Sequence, residues 1–149
     1  MTLESTQTLL RAGQWSGQAS VCSLTYDNRF LRRKVLTSDD GDRFLVDLDH
    51  TTSINQGDAF KLSNGAIVEI HAAAEDLLEV TGDNLLHLAW HIGNRHTPCQ
   101  IETGRLLIRK DHVLKDMLAK LGAKTKDVVE PFTPEGGAYG YGRTHSHSH

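Results

Sequence analysis

Turn-forming glycine pairs divide the first seventy residues into segments too short for stable helices. Asp40-Gly41, Gly57-Asp58 and Asn64-Gly65 each lie between short apolar stretches. Glycine accepts the positive φ that a tight hairpin turn requires, so Asp40-Gly41 and Asn64-Gly65 predict β-hairpins, and Gly57-Asp58 predicts a third turn. The stretch 44–49 alternates apolar and polar residues, which is the period of a half-buried strand. Because no sustained helical period interrupts this region, residues 1–73 are predicted to form a small all-β domain.

The pattern changes near Ala72, where helical periods appear between strand-like segments. One predicted helix runs from Leu85 to Ile92, after a capping Asp83 or Asn84, and a second runs from Val113 to Leu121. The first helix has an apolar face of Leu85, Leu88, Ala89 and Ile92, which Leu86 and Trp90 widen. Strand candidates cover 75–80, 98–102, 105–109 and 128–129. The resulting order β-α-β-β-α-β predicts a ferredoxin-like α+β domain over residues 74–142.

Composition excludes several classes of function. The chain has 16 basic and 19 acidic residues and a net charge of −3, so neither nucleic acid nor an acidic membrane surface is an expected partner. No apolar run approaches the roughly 18–20 residues of a membrane span. Two cysteines cannot form a disulfide framework, which favours a reducing, cytoplasmic location. No catalytic nucleophile stands beside a base in a known motif, so the chain is not expected to be an enzyme.

Histidine is the most unusual feature of the composition, with nine residues, three of them in the last five positions. His145, His147 and His149 alternate with Ser or Thr, so in an extended chain all three imidazoles share one side. Short histidine-rich tracts are typical of sites for nickel, copper or zinc. The other interpretation is a purification tag or a solvated end. The segment 143–149 has too little apolar surface to pack and is expected to be a mobile tail.

Four internal histidines are weaker candidates. His87 and His91 are four residues apart on the predicted helix and could bind one metal ion between them. Without a third ligand, such a pair is more often simply polar surface. His96 lies on a short loop before Pro98, and His112 follows a capping aspartate; by spacing alone, both are more often ordinary surface residues.

One cysteine raises the question of a mixed ligand set. Cys99 lies three residues after His96, and a thiolate would favour zinc or Cu(I) over nickel. A buried thiol with no role in binding is the more common outcome at such a position.

The segment Trp90-His91-Ile92-Gly93-Asn94-Arg95-His96-Thr97-Pro98, followed by Asp111-His112 and a histidine-rich end, resembles the urease accessory protein E (UreE) family. The resemblance extends to the N-terminal β region and covers nearly the whole chain. It implies a β-domain that docks partner proteins, a ferredoxin-like domain that binds metal and forms a homodimer, and delivery of Ni²⁺ to apo-urease together with an accessory GTPase.

The resemblance also assigns site residues. It implies that His96 is a ligand at the dimer interface, that His112 is a further metal-binding residue, and that the tail histidines add ligands. His91 completes the set of metal candidates. Lys110 stands where some members have a histidine, which puts a paired site with His112 in doubt. Zn²⁺ or Cu²⁺ is expected to bind in vitro. The alternatives are a nickel or zinc storage protein without a delivery partner, and a protein–protein adaptor whose tail collects metal in vitro.

Overall fold

A computed structural model describes residues 3–136 of the chain. The chain divides into two compact units, the first ending at Ala73 and the second beginning at Ala74. The tail histidines His145, His147 and His149 lie outside the described residues. Neither helix in the described part of the chain is long and apolar enough to cross a membrane.

The first unit is all β, as its turn pattern predicts. Its strands are β1 (Glu4–Thr6), β2 (Thr8–Leu10), β3 (Ser20–Leu24), β4 (Phe30–Thr37), β5 (Arg43–Ser53), β6 (Ala59–Lys61) and β7 (Ile67–Ala72), with one 3₁₀ turn at Asp27–Arg29. They form a three-stranded sheet in the order β1-β5-β4 and a four-stranded sheet in the order β2-β6-β7-β3. The β1–β5 and β3–β7 pairs are parallel, and the other pairs are antiparallel.

Side chains from both sheets of the first unit share one core. Phe44, Val46 and Leu48 alternate inward along β5, and the Phe44 ring lies 6.4 Å from the ring of Phe60 on β6. The hairpin turns fall where the sequence predicts them, and Gly41 and Gly65 have φ values of +95° and +88°. A side chain with a Cβ is strained at such angles, which explains why glycine occupies these turns.

The second unit has the predicted order of elements. It consists of β8 (Ala74–Thr81), α1 (Leu85–Asn94), β9 (Gln100–Ile101), β10 (Leu106–Arg109), α2 (His112–Lys120) and β11 (Lys124–Pro131). The sheet order is β11-β8-β10-β9, and every neighbouring pair is antiparallel. This is the ferredoxin-like arrangement, in which each helix connects two strands that are separated by a third.

Both helices pack their apolar stripes on this sheet. The buried core comprises Leu78, Val80, Leu88, Ile92, Leu106, Ile108, Leu114 and Leu118. Leu86 and Trp90, which widen the predicted apolar face of α1, are 85% and 62% exposed, so the buried stripe of this helix is narrower than its apolar face. The two residues lie one helical turn apart and face away from the sheet, because the stripe of Leu88 and Ile92 already covers it.

Candidate metal centre

The loop after α1 presents His96 in an unusual backbone conformation. His96 has a φ of +58° and is the one non-glycine residue with positive φ in the described range 3–136. Its backbone N–H donates to the carbonyl of Gly93 at 2.9 Å, and the N–H groups of Arg95 and Thr97 both donate to the carbonyl of Ile92. Histidine adopts the left-handed region more readily than bulky or β-branched residues do, although at some cost. The hydrogen bonds at the helix end therefore fix the backbone of an exposed histidine.

His96 lines an open cavity of about 360 Å³ in the second unit. The other lining residues are Thr97, Pro98, Arg109, Lys110, Asp111 and Leu114. The strand register explains this grouping: β9 pairs antiparallel with β10, so the chain entering β9 lies beside the chain leaving β10. The loop that carries His96 and the loop that leads into α2 consequently meet at one edge of the sheet.

The cavity is also lined by residues at the start of α2, among them the capping residue Asp111. The Asp111 carboxylate accepts hydrogen bonds from the backbone N–H groups of Val113 and Leu114 at 2.9 and 3.1 Å, which caps the helix. His112, the first residue of α2, is exposed beside this cap. Lys110 Nζ lies 3.2 Å from Asp127 Oδ2 on β11, so this lysine forms an ion pair at the position where the resemblance implies a histidine in some members.

A second pair of imidazoles lies on α1. The Nε2 atoms of His87 and His91 are 3.2 Å apart, and their rings meet edge to face with centroids separated by 4.6 Å. The Trp90 ring stands perpendicular to the His91 ring at 5.0 Å. Asn84, one of the two predicted capping residues, accepts a hydrogen bond from the backbone N–H of His87 and begins this helix.

The thiol of Cys99 is packed against the core of the second unit. The pKa of Cys99 is raised to about 11, chiefly by burial and further by the charge of Glu135. At neutral pH the side chain is therefore the neutral thiol, and the thiolate is the form that binds metals. The packing supports the interpretation that Cys99 is not a ligand.

The histidines of the first unit are not grouped with other ligands. His71 Nε2 lies 3.3 Å from Glu69 Oε2 on the same strand, and His50 is exposed on β5. Within residues 3–136, no three side chains of His, Cys, Asp or Glu converge as a metal-binding group. In the described part of the chain, His96 and Asp111 line the same cavity, and no group of three such side chains forms there.

Two features of this region were missing from the sequence prediction. Arg109 and Lys110 line the cavity opposite His96. The predicted order of elements contains this information, because a hairpin between β9 and β10 places residues 96–98 near residues 109–111. The left-handed backbone of His96 is hard to predict from the sequence, because glycine and asparagine are the usual left-handed residues at a helix end and Gly93-Asn94 precedes it.

Comparisons with known proteins cover the whole of this architecture. Two family models match: the N-terminal domain of the UreE urease accessory protein over residues 3–73, and its C-terminal domain over residues 75–149. A protein of Ruegeria pomeroyi named urease accessory protein UreE is 60% identical over 149 residues, which is all of both chains. Proteins with the same name from Cereibacter sphaeroides and Rhodobacter capsulatus are 58% and 55% identical; each alignment covers 95% of this chain, and 78% and 90% of the respective relative.

Proposed function

Because the chain belongs to the UreE urease accessory protein family, we propose that it is a nickel metallochaperone of urease maturation. In this function the protein is a carrier rather than an enzyme: it binds Ni²⁺ and releases it to apo-urease. The accessory GTPase of urease maturation is the expected partner in delivery, and the β-domain of residues 1–73 is the expected docking module. The protein would act in the cytoplasm, where apo-urease is assembled.

His96 is the proposed principal ligand, contributed once by each subunit of a homodimer. A twofold interface is self-complementary, so one exposed imidazole per chain becomes two facing ligands at the axis. The observation that carries this assignment is the exposed His96 ring on a helix-end loop, within a single chain whose described residues hold no three-ligand group. A second copy supplies what one chain lacks.

The apolar surface of α1 supports self-association of the second unit. Leu86 and Trp90 are 85% and 62% exposed and lie one helical turn apart. Large exposed apolar side chains on one face are typical of interaction surfaces, because water contact with them is unfavourable. A homodimer formed through residues 74–142 is the proposed assembly.

Two imidazoles leave coordination positions open, and this suits a carrier. His112 and the tail residues His145, His147 and His149 are the proposed additional ligands. Neutral imidazole binds nickel, copper and zinc, and affinity rises from Mn²⁺ through Ni²⁺ to Cu²⁺, so nickel preference depends on geometry and on metal supply. Ligation by imidazole is more readily reversed than a closed thiolate cage, which favours transfer to a second protein.

Calorimetric titration of the full chain with Ni²⁺ and Zn²⁺ tests the site. We expect one tight ion per dimer, lost in His96→Ala and retained in the matched control His50→Ala. Replacement of the three tail histidines by serine should remove only weaker additional binding. Unchanged tight binding in His96→Ala would contradict the assignment.

Urease activation separates delivery from storage. With apo-urease and the accessory GTPase present, nickel-loaded protein should raise urease activity, and His96→Ala should not. A storage protein would bind nickel equally well but would show no dependence on the GTPase.

A further inference from the structure

The two imidazoles on α1 are separated by the distance that a metal chelate requires. His87 Nε2 and His91 Nε2 are 3.2 Å apart on a largely exposed helix face. With a metal–nitrogen bond of about 2.1 Å, this separation corresponds to an angle of about 100° at the ion, close to neighbouring positions in square-planar, octahedral or tetrahedral complexes. The separation of the two Nε2 atoms thus fits a chelate, which forms when side-chain rotation turns both lone pairs towards the same ion.

The helix supplies the same spacing that zinc enzymes use. In His-Glu-x-x-His sites, two histidines at i and i+4 bind one ion from a single helix face. His91 also lies in the last turn of α1, where the partial negative charge of the helix C-terminus favours a bound cation. Both spacing and local electrostatics favour a divalent ion at this position.

The hydrogen bond between the two rings must give way to a bound ion. Nε2 of one ring donates to Nε2 of the other, and the tautomers decide which ring is the donor. Coordination through both Nε2 atoms requires that each ring carry its N–H on Nδ1, so the donor ring exchanges its proton through solvent.

We propose that His87 and His91 form a second, bidentate site for a late first-row divalent ion, separate from His96 and beside the Leu86–Trp90 surface of α1. Water completes the coordination sphere, because the described residues offer no third His, Cys, Asp or Glu ligand within a metal-binding group there. Two imidazoles favour Cu²⁺ over Ni²⁺ and Zn²⁺. The site does not depend on the proposed delivery of nickel to urease.

Trp90 provides a built-in reporter, since its ring lies 5.0 Å from that of His91. The chain has two tryptophans, and Trp15→Phe leaves Trp90 as the single indole. The test uses the full chain with this substitution and with His96, His112 and the three tail histidines replaced by Gln, so that the other proposed ligands are absent. Circular dichroism verifies folding of every variant before titration with CuCl₂ and then NiCl₂.

We expect saturable quenching of Trp90 by one Cu²⁺ per chain, with at least tenfold weaker binding after either His87→Gln or His91→Gln. The matched controls His50→Gln and His71→Gln should leave the titration unchanged. Electron paramagnetic resonance of the Cu²⁺-loaded protein should report two nitrogen ligands, and one in either α1 variant. Equal affinity with and without His87, or a spectrum without nitrogen coupling, would overturn the proposal. Because His96 is absent throughout, neither result bears on the proposed function.

Discussion

The Asp58 carboxylate and the Arg11 guanidinium form an ion pair of 2.7 Å in which the acid is buried and the base is half-exposed. Asp58 also accepts hydrogen bonds from the backbone N–H groups of Ala12 and Asn55, both at 2.8 Å. One carboxylate thus joins the segment after β2 to the turn before β6. This explains why a charged side chain with 1% exposure is stable within a small β-domain.

Removal of this carboxylate should destabilise the first unit. Asp58→Ala leaves three donors without their acceptor, and we expect a loss of about 2–4 kcal/mol in the free energy of unfolding. Urea denaturation followed by circular dichroism measures the change. Arg11→Ala is the matched control: its side chain is 48% exposed, and we expect a smaller loss because the two backbone donors keep their partner. An equal loss in both variants would contradict this account.

Two substitutions of His96 separate the cost of its left-handed backbone from the loss of its imidazole. Because its φ is +58°, His96→Gly should be more stable than His96→Ala by about 1 kcal/mol, since alanine pays the left-handed penalty and glycine does not. Thermal unfolding of the two variants gives this difference. Under the proposed function both lose the tight nickel site, so the comparison alters stability while metal binding is held constant. Greater stability of the alanine variant would argue against the left-handed loop.

The fold was largely accessible from the sequence because its determinants are local. Asp40-Gly41 and Asn64-Gly65 mark hairpins through the φ they allow, and the caps Asn84 and Asp111 mark where the helices begin. Each signal lies within a few residues of the structure that it specifies. The order of elements then left few ways to arrange a four-stranded sheet with two helices.

The surroundings of His96 were less accessible, because they depend on pairing between distant segments. Lys110 faces the cavity only through the register of β9 and β10, and its ion pair with Asp127 depends on the position of β11. Trp90 shows what helical periodicity cannot predict. Its position on α1 places it beside the apolar face, but the sheet covers only part of that face and leaves Trp90 exposed. The tail histidines lie outside the described residues, and their role remains a prediction from composition.

Cys99 should react slowly with thiol reagents in the folded protein. Burial raises its pKa to about 11, so little thiolate is present at pH 8. Cys22 has a similarly raised pKa, chiefly through burial and further through Asp39. We expect alkylation of both thiols by iodoacetamide to accelerate as pH rises from 8 towards 11, measured on each peptide by mass spectrometry.

The unfolded chain is the control for these thiols. In urea at pH 8 both should react at the rate of an ordinary cysteine, because desolvation is lost. Rapid alkylation of folded Cys99 at pH 8 would contradict its packing against the core and would reopen the question of a thiolate ligand beside His96.

Arg105 organises the carboxylates at one end of the second unit. Its guanidinium contacts Glu79 at 2.9 Å, Glu102 at 3.0 Å and Glu130 at 2.7 Å, which joins β8, the β9–β10 turn and β11. Hydrogen bonding from Arg105 is the first cause that holds the pKa of Glu130 below its ordinary value. The same three carboxylates raise the pKa of Arg105, which stays charged throughout the working range.

This cluster should make stability fall in acid. A depressed pKa in the folded state means that the stabilising effect of Glu130 is fully present above its unfolded pKa of about 4.5. The effect is lost as pH falls from there through the folded pKa, when the carboxylate is protonated. We expect the free energy of unfolding to decline over this window in the wild type and to decline less steeply in Glu130→Gln, which has no proton to gain at this position. Urea unfolding at a series of pH values between 3 and 7 measures both slopes. The exposed Asp76, on β8, serves as a control when replaced by Asn. If this substitution flattened the pH dependence as much as Glu130→Gln, the acid sensitivity would belong to overall charge and not to the Arg105 cluster.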